Sequence, residues 1–137
     1  MATLPSGLPE IVADGEHLAR FLTQSSHFSS VMAKPAAFMP SAKGQETSVF
    51  RHAPEPLPDL WATGALAVAR SGRSLKGVAF LKARHVREAE LAVRASEPPP
   101  THAAIEGWPW LDDPELQKAQ QKERAALLAQ RSQLLLV

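Results

Sequence analysis

The sequence contains no cysteine among its 137 residues. Without thiols the chain forms no disulfide, and it offers no thiolate for a zinc site, an iron–sulfur cluster or nucleophilic catalysis. A chain without disulfides suits a reducing compartment, so we expect a cytoplasmic protein.

Long hydrophobic runs are also missing. Purely aliphatic stretches such as residues 134–137 are only a few residues long, whereas a membrane-spanning helix needs roughly 20 apolar residues. The first eight residues lack the basic start and the apolar stretch of a secretory signal. We therefore expect no contact with a membrane.

Neither sign of charge is in excess. Fifteen lysines and arginines face 14 aspartates and glutamates, which gives a formal net charge of +1. A protein that coats nucleic acid usually carries a stronger basic excess, so nucleic acid ranks last among the ligands considered. The length and the hydrophobic fraction of 45% are typical of a single globular domain, residues 1–137.

Complete catalytic and metal-binding signatures are absent as well. Residues 72–77 lack the Gly-Lys-Ser/Thr ending of a phosphate-binding loop. No serine has the flanking glycines of a nucleophile elbow. His17 and His27 do not have a metal-ligand spacing. The sequence therefore predicts neither a metal nor a cofactor.

The hydrophobic patterns that are present predict an α+β fold. The alanine-rich residues 58–69 predict a helix whose nearly uniform apolarity indicates burial on more than one side. Alternation around Phe80 predicts a strand over 77–83, with further strands over 47–51 and 91–95. One continuous helix over 76–94 is the competing interpretation. We thus predict a small, mostly antiparallel sheet of about three strands packed against the alanine-rich helix.

Both ends of the chain are expected to be helical. Asp14 is placed to cap a helix over residues 15–24, preceded by a mobile arm over 1–10. Residues 101–106 predict a single helical turn. Asp113 and Pro114 predict the start of a C-terminal helix over 114–131, which either packs on the domain or projects from it. Residues 134–137 either continue that helix or form a short terminal strand.

His102 and Glu106 are the first candidate catalytic pair. In a helical turn they would lie on one face, where the carboxylate could orient the imidazole as a general base. The simpler interpretation is a structural histidine in a proline-rich corner. Arg51 and His52 form a second pair at the end of a predicted strand, where Arg51 could grip a phosphate or carboxylate. Ordinary polar residues at an exposed strand end are the simpler interpretation of that pair.

Every charged side chain between Leu60 and Arg87 is basic. Such a segment favours an anionic ligand. The simpler interpretation is a solvated surface that Glu88, Glu90 and Glu97 neutralise across a sheet. The predicted anion-binding residues are Arg70, Arg73, Lys76, Lys82, Arg84 and Arg87.

Trp108 and Trp110 flank Pro109 and are the predicted partner-binding residues. Two tryptophans beside a proline can form an exposed aromatic ledge for another protein. They more often clamp a loop onto the core.

Three functions follow. The first is a small intracellular binding or accessory protein that acts through protein–protein contacts, with a protein partner or a second copy of itself. The second is a histidine-dependent hydrolase or transferase acting on a phosphorylated or nucleotide substrate. The third is nucleic-acid binding through residues 70–87.

Overall fold

A computed structural model describes residues 2–52 and 57–136. Within these described residues, nine regular elements follow one another, with two short 3-10 turns at Ser25–His27 and Pro35–Phe38. They are β1 His17–Leu22, β2 Thr47–His52, α1 Leu57–Ala69, β3 Gly77–Lys82, α2 Ala83–Glu88, β4 Ala92–Ala95, β5 His102–Glu106, α3 Pro114–Arg131 and β6 Gln133–Leu136.

The strands form one six-stranded antiparallel sheet in the order β4-β5-β2-β1-β3-β6. The mixed α+β class is therefore confirmed, and the prediction of about three strands is wrong. The strand around Phe80 is confirmed as β3, which excludes the continuous helix over 76–94 because only 83–88 is helical. The last residues form a strand, β6, rather than an extension of α3.

Two corrections explain the extra strands. Residues 17–22 form β1 and not the predicted helix. Both faces of β1 are covered, so its apolar residues do not alternate cleanly and the sequence shows no clear strand pattern. Residues 102–106 form β5 and not a helical turn, because β5 lies between β4 and β2 and hydrogen-bonds to both. Short buried segments of this kind carry almost no periodic signal.

The two faces of the sheet differ in how they are covered. We call the face that carries Leu18, Val49, Leu81 and Ile105 the closed face, because α2, α3 and the second 3-10 turn pack on it and form the main core. The opposite face, the open face, carries Phe21 and Phe80 under α1. Side chains alternate between the two faces along each strand.

Helix α1 covers the part of the open face formed by β1 and β3, as predicted. Its contact side is formed by Leu60, Gly64 and Val68, which are buried at spacings of four. Leu66 on the far side is 72% exposed, so the expectation of burial on more than one side is wrong. The helix ends at a turn in which Gly72 has a φ of 73°, a conformation that favours glycine.

The C-terminal helix α3 has the predicted bounds. Asp113 caps it by accepting hydrogen bonds from the N–H groups of Glu115 and Leu116. Ala125 and Leu128 are fully buried against the closed face, so α3 packs on the sheet rather than projecting. In the part of the chain that the structure describes, no helix is both long and apolar enough to cross a membrane.

Candidate anion-binding groove

A groove runs between the last turns of α1, the proline-rich loop before β5, and the open face beside β1, β2 and β5. It consists of two adjoining cavities of about 460 and 270 Å³. Both are lined by Phe50, Ala67, Arg70 and Pro99, so they are direct neighbours along the groove. We call the larger part the cationic half and the smaller part the apolar half.

The aromatic floor of the groove comes from three strands. Phe50 on β2 contacts Phe21 on β1, with ring centroids 5.2 Å apart. On its other side Phe50 meets the ring of His102 edge-on at 5.3 Å. The antiparallel register places Phe50 directly opposite His102. The sheet therefore sets the position of this floor, which needs no loop to order it.

The cationic half contains only positive formal charges. Arg20, Arg70 and Arg73 line it together with His102, and no aspartate or glutamate of the described residues lines either half. Thr23, Ser48 and Ser71 also line it, and the Ser71 hydroxyl donates to the carbonyl oxygen of Val68. Guanidinium groups without carboxylate neighbours among the described lining residues suit a phosphate or carboxylate.

Arg20 points to the same side of β1 as Leu18 and Leu22, so its side chain starts from the closed face and borders the cavity from that side. It is the most firmly held of these cations. Its Nε donates to the carbonyl oxygen of Ala37 at 2.8 Å, and its Nη1 donates to that of Ser48 at 2.9 Å. Among the described residues no carboxylate forms an ion pair with it. Burial lowers the pKa of Arg20 to about 10, so the group remains protonated at neutral pH.

His27 reports the positive potential around this half of the groove. Burial lowers the pKa of His27, and the charges of Arg20 and Arg73 lower it further. The imidazole is therefore neutral at physiological pH, and the positive charge in this region comes from the two arginines. Arg20 and His27 were not singled out from the sequence, because neither belongs to a charged run.

The proposed pairing of His102 with Glu106 is not formed. Both lie on strand β5, where four residues span about 13 Å at 3.3 Å per residue. His102 instead places its Nδ1 2.9 Å from the carbonyl oxygen of Ser96, which orients the ring. Glu106 accepts a 3.0 Å hydrogen bond from Arg94, and Arg94 also holds Glu46 at 3.0 Å.

Arg51 does not join His102 either. It lies on the closed face, next in the chain to Phe50, and its guanidinium is bound by Glu16 through Nε at 2.7 Å and Nη2 at 3.0 Å. Its Nη1 donates to the carbonyl oxygen of Pro9 at 2.8 Å. The catalytic roles proposed for His102, Glu106, Arg51 and His52 stay predictions, without the shared geometry that we expected of them.

His52 is on the open face, beyond the aromatic floor. Its ring centroid lies 5.6 Å from that of His17 and 5.3 Å from that of Phe80. A cavity of about 660 Å³ adjoins His17, His52 and the Arg51–Glu16 pair. It is larger than either half of the groove, but its arginine is already neutralised by a carboxylate, so it attracts an anion less strongly.

Acidification is expected to reduce the stability of the wild type more than that of Glu16→Gln. Burial alone would raise the pKa of Glu16, but hydrogen bonds from Arg51 and Ala13 and the charges of Arg51 and Arg87 lower it below 4.5. A lowered folded-state pKa means stability that is present above the unfolded value and is lost as the pH falls through the folded value. Urea denaturation between about pH 6 and pH 3 measures this loss, which should be less steep in the variant. Equal slopes would contradict the assignment.

The basic segment is divided by the fold. Arg70 and Arg73 line the groove, whereas Arg87 is held by Asp14 and by the carbonyl oxygen of Val12. Lys76 immediately precedes strand β3 and Lys82 is its last residue. Arg84 does not share a strand face with them, because the strand ends at Lys82 and Arg84 belongs to α2. The anion-binding roles of all six stay predictions, and the groove favours those of Arg70 and Arg73.

The tryptophan corner presents only one of its two indoles. Trp108 is 3% exposed and donates from Nε1 to the carbonyl oxygen of Ile105 at 3.1 Å. The Nε2 of Gln121 binds the carbonyl oxygen of Pro109 and fastens the corner to α3. Trp110 is 42% exposed, beside the equally accessible Leu111. Partner binding at this corner stays a prediction that now depends on Trp110.

No three histidine, aspartate or glutamate side chains converge as a metal site would require, within residues 2–52 and 57–136. The groove is therefore the feature with the clearest ligand chemistry, and that chemistry is anion binding. Comparisons with protein families, with curated proteins and with solved structures found no match to this chain.

Proposed function

We propose that this protein binds a small molecule through a phosphate or carboxylate group in the cationic half of the groove. The single observation that carries the proposal is the meeting of Arg20, Arg70 and Arg73 at one cavity, with no acidic side chain among the described residues that line it. In contrast, Arg51, Arg87 and Arg94 are each paired with a carboxylate.

The three arginines contribute in different ways. Arg20 is held by two backbone carbonyl groups, so binding a ligand costs it little additional side-chain entropy. Arg70 and Arg73 lie on the exposed connection after α1 and can adjust to the ligand. A guanidinium presents donors in a planar fork that matches the oxygen atoms of carboxylates and phosphates.

This proposal keeps part of the second function suggested by the sequence, namely a phosphorylated ligand, and replaces its anion clamps. Arg51 and Arg84 were predicted from the sequence to bind the anion. Arg51 instead forms an ion pair with Glu16, and Arg84 lies on α2. Arg20 and Arg70 take their place. The proposal concerns binding and does not depend on catalysis by His102.

Titration with inorganic phosphate at low ionic strength tests the proposal. We expect wild-type protein to bind it, and Arg70→Gln to weaken binding about tenfold or more, since a hydrogen bond to a charged group contributes about 1.5–3 kcal/mol. Arg70 is exposed, so the variant should fold normally. Isothermal titration calorimetry measures the affinity.

Arg84→Gln is the matched control, because it removes the same charge from an exposed position on α2. Its affinity should stay within about twofold of wild type, apart from the general effect of net charge. The proposal is overturned if wild type binds no phosphate at low salt, or if both variants weaken binding equally.

A further inference from the structure

The apolar half of the groove differs from the cationic half in its chemistry. Its walls are Leu66 and Ala67 of α1 on one side and Pro99 and Pro100 on the other, over the ring of Phe50. A single exposed leucine is ordinary on a protein surface. Here, however, Leu66 faces two prolines across a cavity of about 270 Å³.

The proline wall is held in place by the N-terminal arm. Glu97 accepts hydrogen bonds from the hydroxyl group of Ser6 at 2.5 Å and from its N–H group at 3.2 Å. The same carboxylate accepts one from the N–H group of Thr101 at 3.1 Å. Residues before and after the prolines are thus anchored, and proline has no side-chain entropy to lose. A largely preformed apolar cavity of this kind is typical of small-molecule sites.

Few polar groups face the apolar half. Besides Arg70, which it shares with the cationic half, the polar lining residues are Thr63 and Thr101. A nucleobase would leave several of its donors and acceptors unpaired there, and each unpaired group costs free energy. A hydrocarbon chain or an unsubstituted ring has no such groups.

We infer that the ligand is an amphipathic organic anion, with its phosphate or carboxylate at Arg20, Arg70 and Arg73 and a compact apolar body between Leu66 and Pro100. The inference rests on the proposed anion site and adds the chemistry of the remainder of the ligand. The two halves share Phe50 and Ala67 as lining residues, so one molecule that reaches across these residues would contact both.

Phenyl phosphate compared with inorganic phosphate tests the inference. We expect phenyl phosphate to bind about tenfold more tightly, because its ring buries apolar surface against Leu66 and Phe50. Leu66→Ser should remove most of this advantage and leave the affinity for inorganic phosphate unchanged. Benzoate compared with acetate repeats the test for a carboxylate head group.

Leu116→Ser serves as the control, since Leu116 is an exposed helical leucine on α3, outside the groove. Its affinity for both phosphates should match wild type. The inference is overturned if neither aromatic anion binds more than about threefold more tightly than its small counterpart. If inorganic phosphate still binds in that case, and Arg70→Gln weakens its binding, the proposed anion site stands without the apolar half. If neither phosphate nor the aromatic anions bind, both proposals are overturned.

Discussion

Replacing Arg51 with methionine is expected to lower the free energy of unfolding by about 3 kcal/mol, the lower end of the range for breaking a buried ion pair. The Arg51 side chain is 1% exposed and that of Glu16 is 23% exposed. Removing the guanidinium takes two donors from the Glu16 carboxylate, which keeps the N–H of Ala13, and takes the Arg51 donor from the carbonyl oxygen of Pro9. The partial exposure of Glu16 lets water replace some of this loss, so the upper end of the range is not expected. Urea denaturation at neutral pH measures the change.

Arg94→Met is the matched control for Arg51→Met. Arg94 forms ion pairs with two carboxylates, those of Glu46 and Glu106, but its side chain is 51% exposed. Exposed ion pairs contribute at most about 1 kcal/mol, so this variant should remain close to wild type. Similar losses in the two variants would show that burial of the Arg51 pair is not what makes it important.

Gly64→Val is expected to destabilise the fold by about 1–3 kcal/mol and to abolish phosphate binding in the groove. A Cβ at position 64 would lie 2.6 Å from Cε1 of Phe21 and 3.1 Å from Cδ2 of Leu75. The Phe21 ring is in turn packed against Phe50, so it cannot move away without disturbing the aromatic floor. The helix must therefore shift, and the wall formed by Ala67 and Arg70 shifts with it. Urea denaturation and phosphate titration measure the two effects.

Ala65→Val introduces the same side chain at the next position of α1, where the residue is exposed. It should cost only the lower helix propensity of valine, about 0.6 kcal/mol, and should retain phosphate binding. Equal effects at positions 64 and 65 would mean that the close approach of α1 to the sheet is unimportant for the groove.

Local signals were sufficient for the elements with strong patterns. The capping pair Asp113 and Pro114 predicted the start of α3, and the alanine-rich segment predicted α1. Alternation around Phe80 predicted β3. These predictions succeed because capping, helix propensity and alternation depend on residues close together in the chain.

Strands β1 and β5 were missed because their signals depend on distant neighbours. Leu18, Phe21 and Leu22 have helical spacing, yet β1 is hydrogen-bonded to β2 on one side and β3 on the other. The two central alanines of β5 have little preference for strands, and burial between β4 and β2 decides their conformation. Tertiary pairing overrides local propensity in both segments.

The sequence by itself determined that thiol chemistry is excluded, that the fold mixes helices with an antiparallel sheet, and that basic residues exceed acidic ones between positions 60 and 87. Only the tertiary structure decided which cations remain available to a ligand. Glu16, Asp14 and Glu46 neutralise arginines that are far away in the chain. Arg20 and Arg70 instead meet at a cavity whose lining, within residues 2–52 and 57–136, contains no acidic side chain. The physical reason is that electrostatic neutralisation depends on distance in space, which strand order and register set.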